Sequence, residues 1–202
     1  MKLAERLHEA SGGARRLEAL SEHVGALLPE TAKVLDVVCG DGMLDERIQQ
    51  RHSHLEITGI DVLVRPEARI PVRLFDGRTI PHAEDSFDAV LLIDVLHHCD
   101  DPEAMLAEAI RVARRCIVLK DHILSGPLSG ALLRIMDDIG NRRFGVALPH
   151  KYWSEARWQQ TFERLGLPVE AWITDLGLYP GPLDWIFGRS LHFVTRLGIS
   201  PE

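Results

Sequence analysis

Lys33-Val-Leu-Asp-Val-Val-Cys-Gly-Asp-Gly42 decides the fold: an apolar run, a turn with two glycines, then the onset of helical spacing. Val34, Leu35, Val37 and Val38 suit a strand covered on both faces, as in a parallel sheet flanked by helices. Gly40 and Gly42 admit positive φ or a close approach of backbone to a ligand. Met43, Leu44, Arg47, Ile48 and Arg51 continue as a crossover helix whose free N-terminal amides favour negative charge. Asp36 interrupts the apolar run. A carboxylate inside such a strand costs free energy unless something donates to it, so turn amides or a cationic ligand are its expected partners. Dinucleotide-binding folds also use a glycine turn, but the spacing here is not Gly-x-Gly-x-x-Gly, which argues against a nicotinamide or flavin enzyme.

Outward from this stretch the chain alternates strand and helix. Leu17, Leu20, Val24, Leu27 and Leu28 fall at helical spacing and predict a helix from about Ala14 to Leu28. Ser11-Gly12-Gly13 reads as a break between it and a shorter helix before it. Leu55–Asp61 is the second strand, ending on an acid about 20 residues past the glycine turn, where a carboxylate serves ribose hydroxyls in either cofactor class. Pro71–Phe75 is a short third strand followed by Asp76-Gly77. Ala89–Ile93 is an unbroken apolar fourth strand. Asp100-Asp101-Pro102 starts a helix with Leu106, Ala109, Ile110 and Ala113 on its buried face. Cys116–His122 is the fifth strand, and Val169–Thr174 with Leu191–Leu197 form an alternating terminal pair.

Several of these residues together resemble the class I S-adenosylmethionine-dependent methyltransferases, in the type 11-like group whose loop reads Val-Leu-Asp-x-Gly-Cys-Gly-x-Gly. Asp36, Cys39, Gly40 and Gly42 match position by position; Val38 stands where that group usually has glycine, close to the cofactor. Ile80-Pro-His-Ala-Glu-Asp-Ser-Phe-Asp88 is similar to the group's Leu-Pro-Phe-x-Asp-x-Ser-Phe-Asp linker. Asp94-Val-Leu-His-His-Cys-Asp-Asp-Pro102 is similar to its x-Val-Leu-His-His-x-x-Asp-Pro segment. The resemblance runs from Val34 to about His122 and implies an α/β, Rossmann-like, doubly wound sheet of seven mostly parallel strands, with an antiparallel terminal strand and an inserted helical cap. It implies S-adenosylmethionine as cofactor. Asp36, Val38, Cys39, Gly40 and Gly42 would line its amino-acid end, Asp61 and Val62 its ribose, and Asp76 and Gly77 its adenine. Asp94 would meet the methionine amino group.

The carboxyl ends of parallel strands are where open α/β sheets bind ligands, which brings His97, His98, Asp121 and His122 forward as candidate catalytic residues. Adjacent histidines point different ways on a regular backbone, so at most one should face the pocket. Lys120 and Asp121 read equally well as a pair that neutralises itself. Residues 123–153 leave the βα rhythm and are expected to cap a substrate pocket; Leu132, Leu133, Ile135, Met136 and Ile139 form an amphipathic piece within them. Arg142, Arg143, Phe144 and Pro149–Trp153 follow. Ser154 caps a further helix with Trp158, Thr161, Phe162 and Leu165 on its apolar side. Tyr179, Trp185 and Phe187 make the 176–189 connection either a substrate platform or a satellite core.

The chain of 202 residues fits one domain, 1–202, with 1–30 as an N-terminal helical segment. Its 23 basic and 30 acidic residues give a net charge of −7, the wrong field for nonspecific nucleic-acid binding. Cys39, Cys99 and Cys116 are odd in number and sit in apolar surroundings, as reduced thiols do. The start carries Glu5 and Glu9, and no run is long enough to span a membrane. A cytoplasmic protein is expected, acting on a small-molecule or lipid-like acceptor, with no metal: His52, His54, His97, His98 and Cys99 lack a second ligand cluster. The alternative is a protein of this fold that binds without turnover.

Overall fold

The computed structural model describes residues 2–141, 151–181, 184, 188 and 190–199, with side chains from Gly13 onward except for 137–141. Arg142, Arg143, Phe144, Pro149, His150, Trp185 and Phe187 lie outside the described residues. Seven strands form one sheet in the order β3-β2-β1-β4-β5-β7-β6. They are β1 (Ala32–Val37), β2 (Leu55–Asp61), β3 (Val72–Leu74), β4 (Phe87–Ile93), β5 (Ala113–His122), β6 (Val169–Ile173) and β7 (His192–Gly198). The first five run parallel. Only β7 is reversed, inserted between β5 and β6 and antiparallel to both. An order of this kind, with a reversed strand wedged near the end, departs from the 3-2-1-4-5-6 of dinucleotide enzymes.

The helices are α1 (Lys2–Leu27), α2 (Met43–Arg51), α3 (Pro102–Val112), α4 (Ser129–Asn141) and α5 (Glu155–Arg164). Because side chains alternate along a strand, each central strand feeds two cores. Leu35, Val37, Val90, Leu92, Ile117 and Leu119 pack with α3 and α5 on one face. Ala32, Val34, Ala89, Leu91 and Val118 pack with Leu20, Val24 and Ile48 of α1 and α2 on the other. Local signals set the helix starts: the Asp101 carboxylate accepts from the Ala104 amide at 3.1 Å ahead of Pro102, and the Ser154 hydroxyl accepts from the Arg157 amide at 3.3 Å. No described helix is long and apolar enough to cross a membrane.

Four expectations change, the first being Ala113, which opens β5 rather than lying on the face of α3. Gly12 and Gly13 do not break the N-terminal segment; α1 runs continuously from Lys2. A glycine costs a helix only about 1 kcal/mol relative to alanine, and the Leu, Glu, Arg and Ala residues around these two outweigh it. The third strand shrinks to Val72–Leu74 at the sheet edge. In α4, Leu133 is buried against Tyr152 and Leu191, whereas Ile135, assigned to the same apolar face, is exposed.

Candidate active site

Crossovers leave β1 toward β2 and β3 on one side and β4 and β5 on the other, so the sheet has its switch point between the carboxyl ends of β1 and β4. The glycine turn closes β1 there. Val38 and Cys39 donate their amides to the Ile60 carbonyl at 2.7 and 3.3 Å. Gly59 is needed for this: a Cβ at that position would lie 2.2 Å from the Cys39 sulfur. Gly42 takes φ 72° and caps α2, as only glycine does cheaply. Val38 takes φ 63°. The turn thus adopts the left-handed backbone expected of glycine there, and the β-branched residue carries the strain, on the order of 1–2 kcal/mol, while its side chain packs on the first core.

Asp61, Val62, Asp76 and Gly77 come together beyond β2 and β3. One Asp61 carboxylate oxygen accepts from the Gly40 amide at 2.8 Å and the other from the Leu63 amide at 2.9 Å. The Phe75 amide donates to the Asp61 carbonyl at 3.1 Å, setting Asp76 alongside. Asp76 Oδ1 accepts from the Arg78 and Thr79 amides, both at 2.8 Å, and these bonds hold its carboxyl below the usual range. Exposed Val62 lies over Gly77, 3.1 Å from where a Cβ would stand. The result is a short wall with an acid at each end.

Asp36 shares the face of Val34 and points toward α2, where its partner is neither an amide nor a cation but Asp45. Both acids are buried, and Asp36 Oδ1 and both Asp45 oxygens have no hydrogen-bond partner. Burial, and then the neighbouring Asp45, push the Asp36 carboxyl well above its ordinary range. Burial pushes Asp45 up to about 6. Asp45 was missed in the sequence, although its position three residues before inward-facing Ile48 places both on one helical face.

Across the switch point, the tips of β4 and β5 carry a buried polar network. His97 sits on a short 3-10 turn, Leu96–His98, directly after β4. Its Nδ1 is 2.7 Å from Asp121 Oδ1, and Asp121 also accepts from the Leu96 and His122 amides at 3.1 and 2.7 Å. His122 Nδ1 lies 3.4 Å from His97 Nδ1. His98 packs its ring 3.9 Å from that of His97, so the two histidines stay together rather than diverging; only His97 is 2.7 Å from Asp121. The Tyr152 ring flanks both His97 and His122 at 5.7 Å. Burial opposes ionisation of Asp121, but the two imidazoles outweigh it and hold its carboxyl far below the usual range.

Lys120 does not neutralise Asp121, because neighbours on a strand face opposite ways. Fully buried, its ammonium donates to Asp94 Oδ1 and approaches His192 Nδ1 at 3.2 Å, and burial brings its pKa down to about 8. Arg16, reaching over from α1, donates to the other Asp94 oxygen at 2.6 Å. Burial works against Asp94, yet Lys120 and Arg16 keep it well below the carboxylate range. Burial and Lys120 lower His122, and more strongly His192, toward the neutral form. Asp94, His97 and His122 each bring a ligand atom within 4.8 Å of the others, a spacing that suits a metal; the Lys120 ammonium already holds the Asp94 oxygen such an ion would need. Arg16, His192 and Tyr152 were not singled out in the sequence, since they come from α1, β7 and the cap and meet only on folding.

Residues 35–116 match the family model described as "Methyltransferase domain". The chain is 35% identical over 114 residues to a ubiquinone biosynthesis O-methyltransferase of Hahella chejuensis, covering 49% of this chain and 44% of that protein. It is 34% identical over 123 residues to the enzyme of the same name from Xanthomonas axonopodis pv. citri, covering 52% and 50%. The chain therefore spans about half the length of these curated relatives. Among solved structures, the Burkholderia thailandensis 1,6-didemethyltoxoflavin-N1-methyltransferase with bound S-adenosylhomocysteine superposes with TM-score 0.65 at 16% identity, over 92% of this chain and 79% of that one. The [4+2]-cyclase SpnF superposes with TM-score 0.66 at 14% identity, over 91% and 80%. Residues 35–116 are thus similar to a methyltransferase domain, and the seven-stranded sheet shares the fold of these solved structures.

Proposed function

We propose that the chain, acting as one domain capped by the region around α4, transfers a methyl group from S-adenosylmethionine to an oxygen of a small-molecule acceptor. The observation that carries this is the wall of Asp61, Val62, Asp76 and Gly77 beside the glycine turn. It fits a nucleoside: two carboxylates with lone pairs left for hydroxyl and amino donors, and an apolar strip for a ring between them. Bound there, S-adenosylmethionine would supply an electrophilic methyl group. The matched relatives named as O-methyltransferases support an oxygen acceptor. A cytoplasmic setting fits three cysteines that are all free thiols, and the net charge of −7 speaks against a nucleic-acid acceptor.

A hydroxyl acceptor must lose its proton as it attacks. We assign this to His97, whose Nδ1 lies 2.7 Å from Asp121 Oδ1; Asp121 would fix the tautomer and stabilise the imidazolium that forms. Orientation contributes the rest, up to about 7–11 kcal/mol of the barrier when nucleophile and methyl are held in line. Titration calorimetry with S-adenosylhomocysteine tests the cofactor assignment: binding in the micromolar range is expected, and no heat at millimolar ligand ends it. A second reading, a binding protein of this fold, is favoured by one observation, the left-handed Val38 in the cofactor turn. A large gain in affinity in Val38→Gly would support it.

A further inference from the structure

We infer that the β3 edge of the sheet, where Leu63, Val64 and Leu74 are flanked by Arg73 and Arg78, is a docking surface for an anionic lipid bilayer. This surface lies beside the wall of Asp61, Val62, Asp76 and Gly77 and does not depend on the nucleoside reading.

Parallel neighbours normally need a crossover of a dozen or more residues, usually a helix that covers the face it crosses. β2 and β3 are parallel neighbours, yet residues 62–71 join them with no helix. The connection is nonetheless held. The Leu63 amide donates to Asp61 at 2.9 Å and the Arg69 amide to the Asp41 carbonyl at 2.9 Å. The Arg69 guanidinium pairs with Glu46 at 2.7 Å, and buried Ile70 packs on Gly42. With no helix over it, Leu74 stays 66% exposed, and Leu63 and Val64 of the connection are 59% and 42% exposed. Asp61 pairs in register with Leu74, so the residues just past Asp61 and Leu74 itself stand at one edge. Val62, Leu63 and Val64 make three exposed apolar residues in a row, an arrangement that marks an interaction surface.

Charge selects the occupant. Between residues 62 and 79 four arginines, Arg65, Arg69, Arg73 and Arg78, are countered only by Glu67 and Asp76, in a chain whose net charge is −7. Arg73 and Arg78 are both exposed and bracket Leu74 along the chain. The basic edge of an acidic molecule is drawn to an anionic plane while the remainder is pushed from it, which fixes the orientation. The apolar side chains then enter the acyl boundary, and the guanidiniums meet phosphate oxygens. A second copy of the chain fits less well, because a two-fold contact would set the arginine cluster near its own image.

Vesicle co-sedimentation tests this, with vesicles of phosphatidylcholine alone and of phosphatidylcholine and phosphatidylglycerol in equal parts. The wild type should sediment with the anionic vesicles and not with the neutral ones, and salt should release it. Arg73→Gln combined with Arg78→Gln should weaken binding roughly thirtyfold. Leu63→Ser combined with Leu74→Ser should weaken it roughly tenfold or more. All four side chains are exposed, so thermal melts should stay at the wild-type value; if the serine pair lowers them, the arginine pair decides. Equal binding to neutral vesicles, no binding to anionic ones, or an arginine variant that binds as wild type does overturns the bilayer. So does a wild type that elutes as a dimer and becomes monomeric in the serine variant, which gives the surface to a second copy. Each of these failures leaves the cofactor assignment standing.

Discussion

Replacing Asp45 by Asn should make this protein more stable at alkaline pH, although a charged residue is lost from the first turn of a helix. Asp45 and Asp36 are buried against each other with three carboxylate oxygens lacking donors. Burial lifts the Asp45 carboxyl from 3.8 to about 6, a little over two pH units. At about 1.4 kcal/mol per unit this is about 3 kcal/mol spent keeping it ionised above pH 6. The sign follows from proton counting: the folded state holds the proton more tightly than the unfolded chain, so the pair is least costly below pH 4. Stability is lost as pH rises from there through about 6. Asn is neutral at every pH and its amide offers a donor to Asp36 Oδ1. Urea denaturation of both proteins at pH 4, 6 and 8 should show Asp45→Asn gaining about 2–3 kcal/mol over wild type at pH 8, with the gap closing toward pH 4. Asp94 and Asp121 titrate in both proteins and cancel in the comparison. A variant no more stable than wild type at pH 8, or a gap that ignores pH, would refute the reasoning.

Other consequences are as direct. At Val38, comparing Val38→Gly with Val38→Ala removes the packing loss common to both; the glycine variant should be the more stable by about 1 kcal/mol in thermal melts, since only glycine occupies φ 63° without strain. Alanine proving the better residue would contradict the backbone assigned to the turn. Lys120→Met should cost about 3–5 kcal/mol in denaturant unfolding, because it leaves Asp94 facing the buried histidines with one cation fewer; a neutral effect would mean that Asp94 does not rely on Lys120. In turnover assays, His97→Gln should lower kcat by about 10²–10⁴ without changing the affinity for S-adenosylhomocysteine, and a raised KM with unchanged kcat would remove it from proton transfer. Acid should unfold the protein as Asp121 and Asp94 are protonated, since both are held below their ordinary values in the fold.

What could be read from residues and what could not divides along the chain. The strand tips bearing Asp61, Asp76 and Asp94 were legible because β-α alternation and turn residues are local, and parallel strands then bring their carboxyl ends to one edge without further information. Partners across the sheet were not legible. Asp36 was assigned an amide or a cation and met Asp45, and Arg16 and Lys120, the protein partners of Asp94, were not anticipated. Strand alternation, applied to Lys120-Asp121, would have separated the two in advance. The glycines before Ala14 looked like a break because a propensity of about 1 kcal/mol per residue is a weak signal against the tertiary packing of Leu20 and Val24.

The reversed strand β7 sits between β5 and β6, yet it is the last of the three to be synthesised. While the nascent chain ends short of His192, the long central strand β5 presents an open hydrogen-bonding edge and β6 has nothing to pair with. A half-made sheet with such an edge is a template for intermolecular pairing. Yield on the ribosome should therefore hinge on synthesis passing His192–Gly198, and chains stalled near residue 190 should be the ones that chaperones retain.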